Sequence, residues 1–319
     1  MPSPCVLVTG GSGFIGAWVL RELHTRGMSS VAFDRAPAVE RWQRILGASA
    51  AADVKFAAGD LSDREALGRV FDHHAVTHVI HLAALLTPAC QLDPYAAAAV
   101  NILGSVALWE AIRARRTTVN SLAYASSLAV YGPEADDGPA PPAAGAAVAN
   151  QPPTFYGATK RAVELLAHQY WVHYQIGSIG IRPHVVYGPE RNQGISAGPS
   201  LAARAAALGE SYTIGFEGCL GYDYVEDVAR AFVDSALASP VGASLVDLPS
   251  EPATPQQFIQ LLDELVPGSG SRLAVAGPTI PSNVAPTPAP INELFPDWRV
   301  TSLREGLART VAFYHGGAQ

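Results

Sequence analysis

The sequence feature that most limits the fold is the glycine-rich stretch Val8-Thr-Gly-Gly-Ser-Gly-Phe-Ile-Gly16. It follows an apolar run at residues 6–9, typical of a buried strand, and leads into a segment with helical spacing. Gly10 would permit a tight turn, Gly13 would let a ligand approach the backbone, and Gly16 would allow the helix to pack closely on the sheet. The stretch therefore predicts the strand–loop–helix unit that binds the pyrophosphate of a dinucleotide.

The start of that helix is the expected phosphate contact. The first N–H groups of a helix, here those around Phe14 and Ile15, have no partner within the helix and lie at the positive end of its dipole. Asp34 ends the next apolar run, where a carboxylate can accept hydrogen bonds from both hydroxyls of the adenosine ribose. It would repel a 2′-phosphate, so we expect NAD rather than NADP. Arg35 leaves two alternatives open, since it either pairs with such a phosphate or is a solvated surface residue.

Short apolar runs and helical segments alternate over the first 182 residues. Strands are expected at residues 30–33, 54–58, 77–82, 121–126 and 179–182, and long helices at 94–116 and 157–174. The alternation predicts an α/β fold, a doubly wound parallel-sheet Rossmann domain over residues 1–182. Residues 183–319 are richer in proline and have shorter helical segments. There we expect a smaller α/β substrate domain with segments that return to the first domain. Residues 132–153 are expected to form a surface loop or a mobile lid.

Composition excludes several classes of partner. The chain has 319 residues, a formal net charge of −7 and no basic run longer than Arg115-Arg116, which argues against a nucleic-acid surface. The three cysteines are far apart and the histidines around His81 are scattered, so we expect reduced thiols and no metal site. The N-terminus lacks the features of a signal peptide, and no apolar run reaches the ~18 residues of a membrane span. We therefore expect a cytoplasmic protein without membrane contact.

The chemistry is predicted from Tyr156-Gly-Ala-Thr-Lys160. Positions i and i+4 share one face of a helix, so Lys160 can stabilise the phenolate of Tyr156, whose pKa is otherwise ~10. Tyr156 can then exchange a proton with a substrate hydroxyl while hydride moves at the same carbon, and Lys160 can also hold the nicotinamide ribose. The only lysines among the 21 lysines and arginines are Lys55 and Lys160, which makes this spacing improbable by chance. The alternative is a pair of surface neighbours.

Polar side chains also follow two other predicted strands. Ser126 and Ser127 end the strand at 121–126, at the sheet edge where open α/β sheets bind ligands. One hydroxyl can bind the reacting oxygen, while the other can satisfy backbone groups. Asp60 and Leu61 follow the strand at 54–58, and Asp60 either contacts adenine or caps the next helix, for which Ser62 is the other candidate cap.

Together these residues resemble the extended short-chain dehydrogenase/reductase family, of the nucleotide-sugar epimerase/dehydratase type. The resemblance covers nearly the whole chain. It is carried by Thr9-Gly-Gly-Ser-Gly-Phe-Ile-Gly16, Gly59-Asp-Leu61, His81-Leu-Ala-Ala84, Asn101, Ser126-Ser127, Val130-Tyr-Gly132, Tyr156-Gly-Ala-Thr-Lys160, Arg182-Pro183, Val186-Tyr-Gly-Pro189 and Asp227-Val-Ala229.

The resemblance implies a role for each matching residue. It implies that Tyr156 is the base, that Lys160 is its partner and that Ser127, rather than Ser126, completes the catalytic set. It implies that Asn101 supports the site near the nicotinamide and that His184 lies near the substrate. It further implies a homodimer through the helices at 94–116 and 157–174. The cofactor would be lined by Leu82, Ala83, Ala84, Pro183 and Val185.

One departure from the family bears on the substrate. Nucleotide-sugar members commonly have an arginine seven residues before the aspartate that matches Asp227, where it binds the diphosphate, and this chain has Leu220 there. Arg191 and Arg204 remain as candidate diphosphate ligands, although a surface or loop role is simpler for both. Our first hypothesis is therefore an NAD-dependent dehydrogenase or reductase of a small, polar, sugar-like alcohol or ketone. The alternatives are a nucleotide-sugar 4-epimerase with tightly bound NAD and a catalytically silent dinucleotide sensor.

Overall fold

The computed structural model describes residues 4–131, 152–280 and 291–316. The chain divides into two compact units. The first comprises Met1–Val130, Thr154–Arg182 and Val228–Val246, and the second comprises Tyr131–Pro153, Pro183–Asp227 and Asp247–Gln319. The chain thus leaves the first unit after Arg182 and later returns to it. The loop or lid expected at 132–153 lies outside the described residues except for its last two, 152 and 153.

The first unit contains a seven-stranded sheet. Its strands are β1 (Cys5–Thr9), β2 (Ser29–Asp34), β3 (Lys55–Ala58), β4 (His78–His81), β5 (Ser121–Ala125), β6 (Ser178–Arg182) and β10 (Ala243–Asp247). Their order is β10-β6-β5-β4-β1-β2-β3, and all pairs from β3 to β6 are parallel. The order reverses between β1 and β4, so the carboxyl ends of these two strands border the crevice where such sheets bind ligands. The predicted Rossmann α/β fold is confirmed.

Helices cover this sheet, which is why its central strands are apolar throughout. They are α1 (Phe14–Thr25), α2 (Val39–Leu46), α3 (Ala48–Ala52), α4 (Arg64–His73), α5 (Thr87–Leu92), α6 (Pro94–Ala97), α7 (Gly104–Arg113) and α8 (Phe155–Tyr174). One buried cluster of this unit includes Leu7, Phe33, Val79, Trp109 and Leu122. Each such side chain stabilises the fold by roughly 1.5–3 kcal/mol relative to exposure.

Two helix starts differ from the prediction. The cap of α4 is Asp63, whose carboxylate accepts hydrogen bonds from the N–H groups of Glu65 and Ala66. The caps predicted at Ser62 and Asp60 are wrong, because these two side chains bond to each other in the preceding turn, at 2.6 Å. Helix α8 begins at Phe155, two residues before the predicted start, and is capped by Thr154.

Residues Pro94–Arg113 form one continuous helix, in which Ala98–Leu103 has π-helical hydrogen bonding between α6 and α7. It ends at Arg113, before the predicted residue 116. By length and composition alone this helix could cross a membrane, contrary to our expectation that no run would. A buried core helix passes the same test, and Ala107, Leu108 and Ile112 lie in the core of the first unit.

The second unit has two small sheets. One contains β7 (Val185–Tyr187), β9 (Leu220–Tyr224) and β11 (Glu251–Ala253), with β9 in the middle, and the other contains β8 (Tyr212–Ile214) and β12 (Leu273–Val275). Its helices are α9 (Gly198–Leu208), α11 (Pro255–Leu265) and α12 (Leu303–Gly316), and α10 (Val225–Leu237) leads into the return segment. That this unit binds substrate stays a prediction.

Candidate active site

The loop between β1 and α1, residues 10–13, forms a cradle of glycines interrupted only by Ser12. Gly10 has φ of +74°, and a Cβ there would lie 2.8 Å from the backbone nitrogen of Ala83. A Cβ on Gly16 would overlap the Gly10 carbonyl oxygen, so Gly16 packs on the loop itself. The prediction that Gly16 packs on the sheet is therefore wrong. Gly13 has an ordinary backbone with φ of −71°, and its Cβ would meet only the Gly10 carbonyl, at 3.1 Å. The fold therefore restricts the side chain at position 13 less than at positions 10 and 16.

Helix α2, which the sequence analysis missed, holds this loop in place. The Trp42 indole N–H donates a 3.0 Å hydrogen bond to the Gly11 carbonyl, and the Arg41 guanidinium donates one of 2.7 Å to the Ser12 carbonyl. The alternation of polar and apolar residues in Val39–Leu46 is helical and could have indicated the helix. Its contact with the loop joins residues about 30 positions apart, which no local pattern predicts.

The predicted ribose carboxylate lies against the same loop. One oxygen of Asp34 accepts a 3.1 Å hydrogen bond from the Ser12 N–H, and the other accepts from the Arg35 N–H at 2.8 Å. The Arg35 side chain is exposed. Asp60 accepts from the Ser62 hydroxyl and N–H, and these bonds lower the pKa of its carboxyl. The adenine contact of Asp60 and Leu61 stays a prediction.

A dinucleotide fits this cradle. The glycines leave space that a Cβ would fill, no side chain caps the N-terminus of α1 at Gly13, and the N–H groups of Phe14 and Ile15 start the helix. Leu82 and Ala83 follow β4 and bond to Thr9, the residue before the cradle. Leu82, Ala83 and Ala84 are half-buried, as residues that line a ligand would be.

Tyr156 and Lys160 lie in the first two turns of α8. Lys160 is 6% exposed, so the alternative of a surface pair is wrong. Its ammonium donates a 2.7 Å hydrogen bond to the Ala125 carbonyl at the end of β5 and lies 5.7 Å from the centre of the Tyr156 ring. The helix therefore holds Tyr156 and Lys160 at the carboxyl end of β5, where the predicted serines follow.

The two serines differ in their partners. The Ser126 hydroxyl is buried and donates a 2.6 Å hydrogen bond to the Glu164 carboxylate. Ser127 is half-buried, and its hydroxyl oxygen accepts from the Ala129 N–H at 3.2 Å, which leaves its proton free to bond elsewhere. The geometry thus favours Ser127 over Ser126 as the hydroxyl available to a substrate.

Asn101 links two parts of the first unit from within the π-helical segment. Its side-chain amide donates to the Leu85 carbonyl at 3.1 Å and to the Thr159 hydroxyl at 3.0 Å, and its oxygen accepts from the Leu85 N–H at 2.8 Å. Thr159 in turn donates to the Tyr156 carbonyl. Asn101 therefore ties the segment after β4 to the first turn of α8, and π-helical insertions occur often at functional sites.

His81 extends this network to the phosphate loop. The Ser105 hydroxyl donates its proton to the Asn101 carbonyl at 2.6 Å, so its contact of 3.0 Å with His81 Nε2 requires that His81 donate. His81 Nδ1 then accepts from the Thr9 hydroxyl at 2.7 Å. Burial, and to a smaller extent the Lys160 ammonium, lowers the pKa of His81 to about 3, so its ring is neutral. The sequence predicts no metal-binding role for His81, and its motif with residues 82–84 did not indicate this hydrogen-bonding role.

The remaining predicted residues belong to the second unit. The His184 N–H donates a 2.7 Å hydrogen bond to buried Asp223, and burial lowers the pKa of the His184 imidazole to about 4. Pro183 is buried and Val185 starts β7. The guanidinium of Arg191 donates to the Val186 carbonyl and to the Ser196 hydroxyl.

The position of the missing family arginine is apolar. Leu220 is buried at the start of β9, and the arginine considered in its place, Arg204, is exposed on α9. Arg191 is engaged with its own loop, as described above. Position 220 of the second unit therefore supplies no bidentate, charge-assisted ligand for a diphosphate.

The sequence model of the NAD dependent epimerase/dehydratase family matches residues 6–241. UDP-glucuronate 4-epimerase 1 of Arabidopsis thaliana is 36% identical over 190 residues, which are 58% of this chain and 43% of the relative. The chain thus matches less than half of the length of this plant protein. UDP-glucuronate 4-epimerase of Thermodesulfobacterium geofontis is 27% identical over 271 residues, 82% of this chain and 80% of the relative.

Solved structures give the same picture of the fold. The UDP-glucose 4-epimerase of Thermus thermophilus, in complex with NAD, superposes with a TM-score of 0.78 at 26% identity, covering 98% of this chain and 99% of that one. The UDP-glucose 4-epimerase of Thermotoga maritima, with UDP-glucose, has a TM-score of 0.80 at 24% identity, covering 99% and 100%. The second likeness is evidence for the fold alone.

Proposed function

The chain belongs to the NAD-dependent epimerase/dehydratase family, and on this premise we propose that it is a 4-epimerase of a nucleotide-linked sugar. The family makes it an NAD-dependent enzyme of the extended short-chain type. The observation that carries the proposal is the first-unit arrangement of Ser127, Tyr156 and Lys160 around the end of β5, together with relatives named as 4-epimerases. This arrangement argues against a catalytically silent dinucleotide sensor.

The proposed roles follow from the contacts of each side chain. NAD, when bound, supplies reversible hydride acceptance at the substrate carbon. Lys160, held on the Ala125 carbonyl, places a positive charge beside Tyr156 and favours its phenolate. Tyr156 then takes the proton of the substrate hydroxyl, and Ser127 donates a hydrogen bond to the same oxygen. In an epimerase Tyr156 would return this proton to the oxygen as hydride returns to the opposite face of the carbon, which inverts the configuration there.

The first hypothesis of the sequence analysis, a dehydrogenase of a small sugar-like substrate, is kept as a second candidate. Leu220 and the engaged guanidinium of Arg191 favour it, because a diphosphate is bound best by bidentate, charge-assisted donors. The named relatives support the 4-epimerase instead, so the epimerase is the better-supported proposal.

Product analysis separates the two candidates. The purified protein is incubated with UDP-glucuronate or UDP-glucose, with and without added NAD, and the sugar products are resolved by chromatography and NMR. The 4-epimerase gives both C4 isomers with no net reduction of NAD, and Tyr156→Phe lowers the rate by at least about 100-fold. The opposite result is reduction of added NAD by a free sugar, sugar acid or hydroxy acid, with no C4 isomer formed from either nucleotide sugar. That result would overturn the epimerase proposal in favour of the dehydrogenase.

The oligomeric state is part of the proposal. The helix Pro94–Arg113 exposes Tyr95 and Leu103, and α8 exposes Leu165 and Val172. The family resemblance implies that these two helices form the dimer contact. Large apolar side chains exposed on both helices support such a homodimer. Analytical ultracentrifugation tests it, with Leu165→Glu expected to yield monomers and Leu208→Glu, an exposed leucine on α9, as the control.

A further inference from the structure

Helix α8 has a third functional group on the face that bears Tyr156 and Lys160. Glu164 lies one turn after Lys160, and its side chain is 1% exposed. A buried carboxylate is costly unless it is paired and hydrogen-bonded. Neither the family resemblance nor the proposed mechanism gives this residue a role.

Glu164 receives four hydrogen bonds from three side chains. Arg182 at the end of β6 donates from Nε at 2.6 Å and from Nη2 at 2.8 Å, and Ser126 donates at 2.6 Å. The fourth comes from Arg161, at 2.8 Å. Replacing a buried ion pair by apolar residues of similar volume is often neutral or stabilising, so stability alone is a poor reason for this arrangement.

The geometry connects Glu164 to the catalytic serine. Lys160 binds the carbonyl of Ala125 and Glu164 binds the hydroxyl of Ser126. Two consecutive residues at the end of β5 are thus fixed to one face of α8, and Ser127 follows directly. The contacts set where Ser127 lies relative to the helix that bears Tyr156.

The charge of Glu164 also acts on Lys160. Burial lowers the pKa of Lys160 to about 8, and Cys90 on α5 and Glu164 oppose this shift. Burial raises the pKa of the Cys90 thiol, so at neutral pH the thiol is uncharged. On the other sides, His81 of β4 is neutral, Tyr156 lies on the same helix, and Arg182 and Arg161 face Glu164. The permanent anion beside Lys160 in this group is the Glu164 carboxylate.

We propose that Glu164, held by Arg182, is a positioning residue of the catalytic site: it fixes the Ser126–Ser127 strand end and keeps the Lys160 amine in its charged form. This inference rests on the catalytic roles proposed for Lys160 and Ser127. It does not depend on which substrate the enzyme takes.

The charge is tested by NMR titration of the full chain without substrate. Because the chain has two lysines, protein labelled with 13C at lysine Cε gives two signals, and Lys55→Arg assigns them. The Lys160 signal should titrate near 8 in the wild type. In Glu164→Gln its midpoint should fall by about one pH unit or more. A folded Glu164→Gln protein whose midpoint stays within about 0.3 unit of the wild type overturns the proposal.

Two further variants keep the test decisive. Arg161 is half-exposed, so Arg161→Gln should fold; it removes a positive charge from the Glu164 carboxylate and should not lower the Lys160 midpoint. If Glu164→Gln does not fold, a wild-type Lys160 midpoint below about 7 overturns the proposal, because the amine would then be uncharged at neutral pH with Glu164 in place. Glu164→Asp retains the charge and should leave the midpoint within about 0.3 unit of the wild type.

The positioning of Ser127 is tested with Ser126→Ala, which removes one hydrogen bond and no charge. We expect kcat to fall by about tenfold while KM and the Lys160 midpoint stay unchanged. Unchanged kcat overturns this half of the proposal. The assay uses UDP-glucuronate, or the free sugar acid of the second candidate if only that reacts. Failure of the 4-epimerase proposal would leave the NMR result standing.

Discussion

The Lys160 ammonium donates a 2.7 Å hydrogen bond to the backbone carbonyl of Ala125, where the helix of the catalytic tyrosine meets the end of β5. The lysine is almost completely buried, and burial lowers its pKa to about 8 from the ordinary value of 10.5. The proposed mechanism needs the charged amine. The site therefore contains a cation that loses its proton within an accessible pH range.

Activity and stability should respond to this titration in opposite directions. As pH rises above about 8, Lys160 loses its charge and kcat/KM should fall. Between about 8 and 10.5 the unfolded chain binds this proton more tightly than the folded protein, so the contribution of Lys160 to the free energy of unfolding rises with pH. Rates and denaturant unfolding measured across this window check both signs. Activity that stays level up to pH 10.5 would exclude a catalytic ammonium.

Substitutions at two glycines of the phosphate loop should separate folding from cofactor binding. Gly16→Ala forces a methyl group onto the Gly10 carbonyl and should prevent folding or destabilise the protein by several kcal/mol. Gly13→Ala needs only a small shift, so its melting temperature should stay close to that of the wild type while its affinity for NAD falls by about tenfold or more. Calorimetry and NAD titration distinguish the two. Equal losses of stability in both variants would show that Gly13 serves the fold alone.

Local sequence patterns predicted the parts of this site that are themselves local. The glycines of the loop follow one another within seven residues, and Tyr156 and Lys160 lie one helical turn apart. The six strands β1 to β6 were placed to within about two residues, because each is a short apolar run bounded by turn residues. The seventh strand of this sheet, β10, was not predicted. Asp63 was missed as a cap because Ser62 and Asp60 carry equally suitable oxygens.

The contacts that hold the site together could not be predicted in this way. Arg182 and Glu164 are 18 residues apart, and Thr9 and His81 are 72 apart. Each pair meets only because the sheet order places β6 beside β5 and β4 beside β1. The π-helical segment around Asn101 likewise depends on tertiary partners such as Thr159 rather than on the apolar pattern of its own sequence.

The neutral His81 ring should make the protein sensitive to acid. Its folded pKa is lowered to about 3 from 6.5, so as pH falls below 6.5 the unfolded chain takes up a proton that the folded protein excludes, and stability is lost. His81→Gln should lower stability at neutral pH by about 1–3 kcal/mol and make the decline between pH 6.5 and 3 shallower. Melting temperatures across this window test the change. His24→Gln, at an exposed position, is the control and should keep the wild-type slope.

The His184 imidazole packs against Gly221, and this contact offers a test of its predicted role at the substrate. A Cβ on Gly221 would overlap His184 Nδ1, so Gly221→Ala must displace the ring while the N–H bond from His184 to Asp223 can persist. If His184 binds the substrate, KM for the sugar should rise by about fivefold, the value of one hydrogen bond, with NAD affinity unchanged. Gly215→Ala is the matched control, because a Cβ there meets nothing within 4 Å. Equal KM values for the two variants would remove His184 from the substrate site and leave its imidazole as part of the packing of the second unit.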